Sequence, residues 1–223
     1  MGCQWKELPF GKDGGGCLET RCTRIYRIWR HWVDNGRIDA IFAGSVLRLH
    51  QNGPLDTTVI HDDGTTTAAK KGGDKVVACC DRHCNVIAPF VAAPGNRNES
   101  PMLREALPEV MRISREVGMD LQGSVVGLDG VYDRRVNRRA IFNRGMVPNI
   151  NPNPRGGKQP KRGRKPIFEP AIVKERFWTI ERVFAWEDKF RRLLLPSRRI
   201  SGLHYPFKIL ADTRINLRHC CQI

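Results

Sequence analysis

Three acidic residues stand in settings suited to metal-ion chemistry: Asp63 in HDDGTTT, Asp129 in VVGLDGVYD and Glu181 in RFWTIERVFAW. The first two adjoin short apolar runs that read as strands, and the third lies inside a helical pattern. Between the second and third, Arg134 to Lys165 holds eleven Lys or Arg residues and no Asp or Glu. Carboxylates able to hold metal therefore adjoin a surface that attracts phosphate. Bare carboxylates repel a nucleic-acid backbone, and divalent cations lying between the two remove that repulsion. Phosphoryl transfer on DNA is the chemistry this pairing suits. In a two-metal site the cations sit roughly 3.5–4 Å apart, so the carboxylates must converge from separate elements. An all-oxygen donor set favours Mg²⁺, or Mn²⁺, whereas zinc would favour Cys and His.

The elements that must position these acids can be read from periodicity. Ile25, Ile28, Trp29 and Trp32 fall at helical spacing from Thr20, with Gly36 as the stop, and predict one apolar face. The same helix carries Arg24, Arg27 and His31 on another face, where they could lie along DNA or simply meet solvent. A second helix is expected over 38–49. Strands are expected over 56–62, 75–80 and 85–92, the last two joined by DRHCN as a hairpin. Ser100 as N-cap and Pro101 at the first helical position predict a helix to Gly118, divided or kinked at Pro108. SVVGLD (124–129) reads as a buried strand, followed by a helix near 133–144 and the short apolar segment MVPNI. A long helix is expected from about Ala171 to Leu195, and a weaker one over 203–221. The order β-β-β-α-β-α-β predicts an α/β protein.

The formal charge of +15 over 223 residues calls for a polyanionic partner, which counterion release and long-range steering favour. Double-stranded DNA fits. The basic tract NPNPRGGKQPKRGRK lacks the apolar face of an interfacial helix, so membrane is not the expected polyanion. Within that tract Lys161, Arg162, Arg164 and Lys165 read as a phosphate clamp, because excess charge without interleaved acids serves no packing purpose. No apolar run is long enough to span a membrane and MGCQWKELPF is no secretion signal, so the expectation is a cytosolic protein with reduced cysteines.

These motifs, in this order, resemble the DDE transposases of bacterial insertion sequences, in the IS-four and IS-five-like group. The resemblance covers nearly the whole chain. GCQWKELP and TRIYRIWRHWVDNG look like that group's N-terminal DNA-binding region, DGTTTAAKKGGD like its first catalytic motif and LDGVYDRRVNRRAIFNRGMVPNI like its second. RFWTIERVFAWEDKFRRL is similar to the third. The resemblance implies a ribonuclease-H-like mixed sheet with flanking helices, preceded by a small helical DNA-binding segment. It divides the chain into a partial helical DNA-binding region over 1–50 and a catalytic domain over 51–223, with a basic linker at 151–168. It makes Asp63, Asp129 and Glu181 the catalytic metal ligands for Mg²⁺ or Mn²⁺, and Arg182, Lys189, Arg191 and Arg192 DNA contacts. Asp56 and Asp62 are rivals for the first position, with Asp63 preferred because it directly precedes Gly64. Element ends and target DNA are the implied partners, with a homodimer at synapsis, in the bacterial cytoplasm on the nucleoid. Relatives carry residues ahead of the WKELP-like segment and a basic Gly-rich segment after GGD. A shortened N-terminus and a shortened first motif are therefore expected, with loss of activity as one consequence.

Other chemistries are weaker. Cys79, Cys80, His83 and Cys84 crowd one hairpin, and only His219, Cys220 and Cys221 could complete a zinc site from elsewhere, so buried or turn thiols are expected. No G-x-S-x-G motif supports a serine hydrolase. Tyr132 sits at a position read as packing in preference to base stacking, while Trp178 and Trp186, at helical spacing beside Phe177 and Phe184, suit the core at least as well as a stack on a flipped base.

Overall fold

The computed structural model describes residues 11–12, 14–16, 20–67, 74–153, 167–190 and 201–221. Helices α1 (Cys22–Asp34) and α2 (Arg37–Asn52) come first, turned at Gly36, whose φ of +65° is open to glycine at no steric cost. Strands β1 (Val59–Thr67), β2 (Asp74–Asp81) and β3 (Val86–Pro94) follow, then helix α3 (Glu99–Val117) and strand β4 (Val125–Leu128). A single 3-10 turn (Gly130–Tyr132) leads to α4 (Arg135–Phe142) and β5 (Val147–Ile150). Helices α5 (Pro170–Glu187) and α6 (Ser201–Cys221) complete the fold.

The five strands form one sheet in the order β3-β2-β1-β4-β5. β2 is antiparallel to β1 and β3, whereas β4 is parallel to β1 and β5 parallel to β4. This is the mixed α/β sheet with flanking helices that the resemblance implied. Because successive strand residues face opposite sides, β1 shows which helix covers which face. Asp63 meets Arg176 of α5, while the backbone of Gly64 faces Glu99 of α3. The sheet is thus held between α3 and α5. Val77, Leu103, Leu107 and Ile113 fill one interior, and Val76, Ile180 and Val183 help to fill the other. Ile38, Phe42 and Val46 of α2 belong to the same continuous core, where α2 packs on α3, α6 and β3.

Several boundaries differ from the sequence reading. β1 starts at Val59 and runs on through DDGTTT, so Asp63 lies inside a strand. The cap of α3 is Asn98, whose side chain accepts from the Ser100 amide, and not Ser100, which is already helical and buried. Pro108 sits inside an undivided α3. On α1 only Trp29 is buried among the predicted face, while Ile28 and Trp32 are 42% and 45% exposed. α5 ends at Glu187, and residues 188–190 form a turn, so the helix expected to run on to Leu195 stops short. The N-terminal GCQWKELP and the segment after Thr67 expected to be shortened lie outside the described residues.

Candidate active site

The parallel ladder between β1 and β4 pairs Val59 with Val125, Ile60 with Val126 and His61 with Gly127. Asp63 and Asp129 each follow the last pair by two residues, Asp63 inside β1 and Asp129 as the extended cap of the 3-10 turn, at φ −72° and ψ 164°. Each aspartate is followed by glycine, and each carboxylate accepts from that glycine's amide: Gly64 N–H to Asp63 Oδ1 at 2.8 Å, and Gly130 N–H to Asp129 Oδ1. The chain then leaves the sheet at the 3-10 turn, so β1 has no ladder partner beyond His61 on the β4 side. The two acids stand at an open notch.

Helix α5 lies across this end of the sheet, fixed by polar and apolar contacts. Arg82 donates twice to Glu175, at 2.7 and 2.8 Å, and the same carboxylate lies 3.4 Å from Nε2 of the fully buried His61. A Cβ at Gly127 would stand 3.0 Å from both Ile172 Cγ2 and His61 Nδ1, so glycine is what lets α5 approach β4 this closely. One turn after Ile172 comes Arg176, 4% exposed, whose guanidinium ion-pairs with Asp63 Oδ2. Burial pushes Asp63 up to about 6. Arg176 and the Gly64 amide oppose that shift, whereas the charges of Glu181 and Glu99 add to it.

A basic side chain thus occupies the Asp63 carboxylate. Glu181 is exposed on α5 and its charge reaches Asp63, yet among the described residues no three His, Cys, Asp or Glu side chains converge on one point. Arg182 and Lys189, two of the expected DNA contacts, are exposed, as are Arg24, Arg27 and His31 on α1. Lys161, Arg162, Arg164, Lys165, Arg191 and Arg192 lie outside the described residues. The aromatic reading of α5 needs correction: Trp178 is 71% and Phe177 56% exposed, because both fall on the flank away from the stripe of Ile172, Arg176, Ile180 and Val183. Trp186 is half-buried beside His219, and Tyr132 is fully buried as packing requires.

The rivals for the first position have other surroundings. Asp56 accepts from the Thr58 amide and hydroxyl, capping its own turn at the surface. Asp62 points to the opposite face from Asp63, where it meets the Cys79 thiol and is completely buried. Cys79 and Cys80 have thiols pushed well up by burial and then by neighbouring carboxylates, which disfavours the thiolate that zinc needs. Three residues escaped the sequence reading: Arg176, Glu99 and Lys75. Arg176 left a signal, being the one basic residue in an apolar stripe at i+4 from Ile172 and i−4 from Ile180. Glu99 was masked by assigning the cap to Ser100.

Residues 44–204 match the family described as Transposase DDE domain. The chain belongs to this DDE transposase family. A comparison with curated protein sequences gives no match. Among solved structures, a chain of the simian T-cell lymphotropic virus intasome is similar at 11% identity and a TM-score of 0.41, over 74% of this chain and 49% of that one. This transposase domain thus spans about half the length of that protein. The catalytic domain of Mos1 mariner transposase is similar at 12% identity and a TM-score of 0.35, over 81% of this chain and 89% of that one. A Mos1 transposase catalytic domain with Raltegravir and Mn gives 12% identity and a TM-score of 0.34, over 82% and 92%. No helix among the described residues is long and apolar enough to cross a membrane.

Proposed function

We propose that this DDE transposase domain cuts DNA at the ends of a bacterial insertion sequence and joins the freed 3′ ends to target DNA, with Asp63, Asp129 and Glu181 as the metal-holding acids. The observation that carries this reading is the parallel ladder whose last printed pair, His61 with Gly127, stands two residues before Asp63–Gly64 on one strand and two residues before Asp129–Gly130 on the other, with the helix that bears Glu181 packed on the same pair of strands. The donor chemistry fits Mg²⁺ or Mn²⁺: the donors are oxygens, and a cation, the Arg176 guanidinium, already sits on Asp63. Bound there, such ions supply the Lewis acidity that activates a water or 3′-hydroxyl and stabilises the leaving oxygen.

The chain's own residues bind and orient. Arg182 and Lys189 hold phosphates beside Glu181. Arg24, Arg27 and His31 of α1 lie along the duplex, and Lys161, Arg162, Arg164 and Lys165 clamp the backbone electrostatically. Arg191 and Arg192 add further backbone contacts. Two copies meet when two element ends are synapsed, in the cytoplasm on the nucleoid. A second reading, a DNA-binding remnant that does not cut, is favoured by one observation: Arg176 holds Asp63 while Glu181 faces solvent.

Cleavage of labelled element-end DNA in Mg²⁺ or Mn²⁺ by the native chain, compared with Glu181→Gln, separates the two. Cutting that disappears in Glu181→Gln is the expected result. DNA binding without cutting by the native chain, under conditions where a full-length relative cuts, rejects the catalytic reading in favour of the remnant.

A further inference from the structure

We propose that α4 is a strand-tracking helix: its outer face holds the phosphates of a DNA strand that leads away from the acids, and the groove beside Phe142 receives an unstacked base of that strand. This deepens the functional reading above and rests on DNA as the partner. The face is set by helical spacing. Asn137 and Ile141 are buried, so Arg135, Arg139 and Phe142, at i, i+4 and i+7, form the stripe turned to solvent. Phe142 is 71% exposed. The helix follows the 3-10 turn that begins after Asp129, so Arg134 and Arg135 stand at its Asp129 end, and Phe142 lies roughly 10 Å further along the axis.

Folding alone does not call for this stripe. Arg134 and Arg135 open a helix with no acid in its first turn, where the backbone dipole disfavours cations. Arg135 and Arg139 repel each other at i, i+4. The adjacent acid, Asp133, is already held by Arg138 at 2.9 Å, and neither Arg135 nor Arg139 has an ion pair among the described residues. A row of phosphates neutralises these charges together. The other end of the helix has the matching apolar chemistry. Phe142, Met146, Pro148 and Ile167 line an open groove of about 500 Å³ at the starting ends of β4 and β5, and the exposed side chain of Gln122 borders it. An acidic protein segment matches the arginines; a DNA strand matches them and, where a base leaves the stack, supplies a flat ring for Phe142. The Gln122 amide can both donate to and accept from the edge of such a base.

The test is fluorescence anisotropy of the full chain, in EDTA so that nothing is cut, on a plain duplex and on the same duplex with a bubble of unpaired thymines. The double variant Arg135→Gln with Arg139→Gln is expected to melt like the native protein and to lower the slope of log K against log salt on the plain duplex by about 1.8, at about 0.9 per phosphate. Phe142→Ala is expected to weaken binding to the bubble roughly tenfold and to leave the plain duplex nearly unaffected. A folded double variant with the native slope overturns the arginine track. A Phe142→Ala protein that binds both DNAs like the native chain, or that changes only the oligomeric state seen by ultracentrifugation, overturns the base groove. Native chain that binds neither DNA overturns this proposal and the functional reading together. Native chain that shows both α4 effects yet does not cut in Mg²⁺ overturns the catalytic reading and leaves the role of α4 standing.

Discussion

At the level of single residues, adjacent aspartates on β1 have opposite tasks because the strand turns them to opposite faces. Burial pushes Asp62 up to about 7, against the Cys79 hydrogen bond and with help from the Asp63 charge. A native value above the ordinary 3.8 means the folded protein binds the extra proton between those pH values, so stability is greatest below about pH 4 and falls as pH rises toward 7. Asp62→Asn removes this titration. It is expected to reduce the slope between pH 6 and 7, where Asp63 completes its own ionisation, and to exceed the native protein at pH 8 by on the order of 2–4 kcal/mol. Thermal melts at pH 5, 6, 7 and 8 check this, and an unaltered slope would show Asp62 ionised in the native state. Arg176 answers to the other face. Arg176→Met strands a buried carboxylate and is expected to cost about 3 kcal/mol at pH 8, less at pH 5 where Asp63 takes up its proton. Added Mn²⁺ should restore part of that loss, because the ion replaces the missing cation; a melt indifferent to both pH and Mn²⁺ counts against Asp63 as the acid Arg176 neutralises.

Among the elements, the decisive contact is α5 on the β1–β4 pair. Gly127→Ala puts a methyl 3.0 Å from Ile172 and His61, neither of which can move freely in a packed interior. Overpacking of this kind costs about 1–3 kcal/mol. It should also lift the end of α5 that carries Arg176, so end cleavage should fall further than the stability loss accounts for. Cleavage and chemical denaturation measured on one preparation test this, and a variant that loses stability yet cuts normally would show that the Gly127 contact does not set the acids. The same helix shows why the sequence was only partly legible. Its existence and its Glu181 follow from periodicity, but aromatic residues at helical spacing look alike whether they line the core or flank it, and Phe177 and Trp178 flank it. β1 was cut short at Asp62 because HDDGTTT lacks the apolar alternation of a half-buried strand. Its polarity belongs to the site, where local pattern yields to function. That β1 and β4 are neighbours, pairing His61 with Gly127 just ahead of Asp63 and Asp129, needed a register, which no single segment encodes.

For the whole molecule, an excess of fifteen positive charges makes DNA affinity a function of salt, and the distribution of those charges makes it divisible. Removing one cation that touches phosphate should lower the slope of log K against log salt by about 0.9 on duplex DNA. Replacing Lys161, Arg162, Arg164 and Lys165 together with Gln should therefore lower the slope by about 3–4 if all four touch phosphate. Such interactions carry no sequence information, so affinity for an element end and for a scrambled duplex should fall by the same factor. Arg182, by contrast, shares α5 with Glu181, and Lys189 stands in the turn just after it; α5 is held on the sheet by the Arg82–Glu175 pair and the Ile172 contact. Substituting these two should lower the salt slope little, by no more than about 2, and should reduce cleavage well beyond the loss of binding, because a phosphate they position is one the acids must reach. Titrations across salt on both duplexes, paired with single-turnover cleavage, separate the two groups. If the tract substitutions leave the slope unchanged, its charges are solvated and the positive surface that holds DNA lies on α1, α4 and α5 alone.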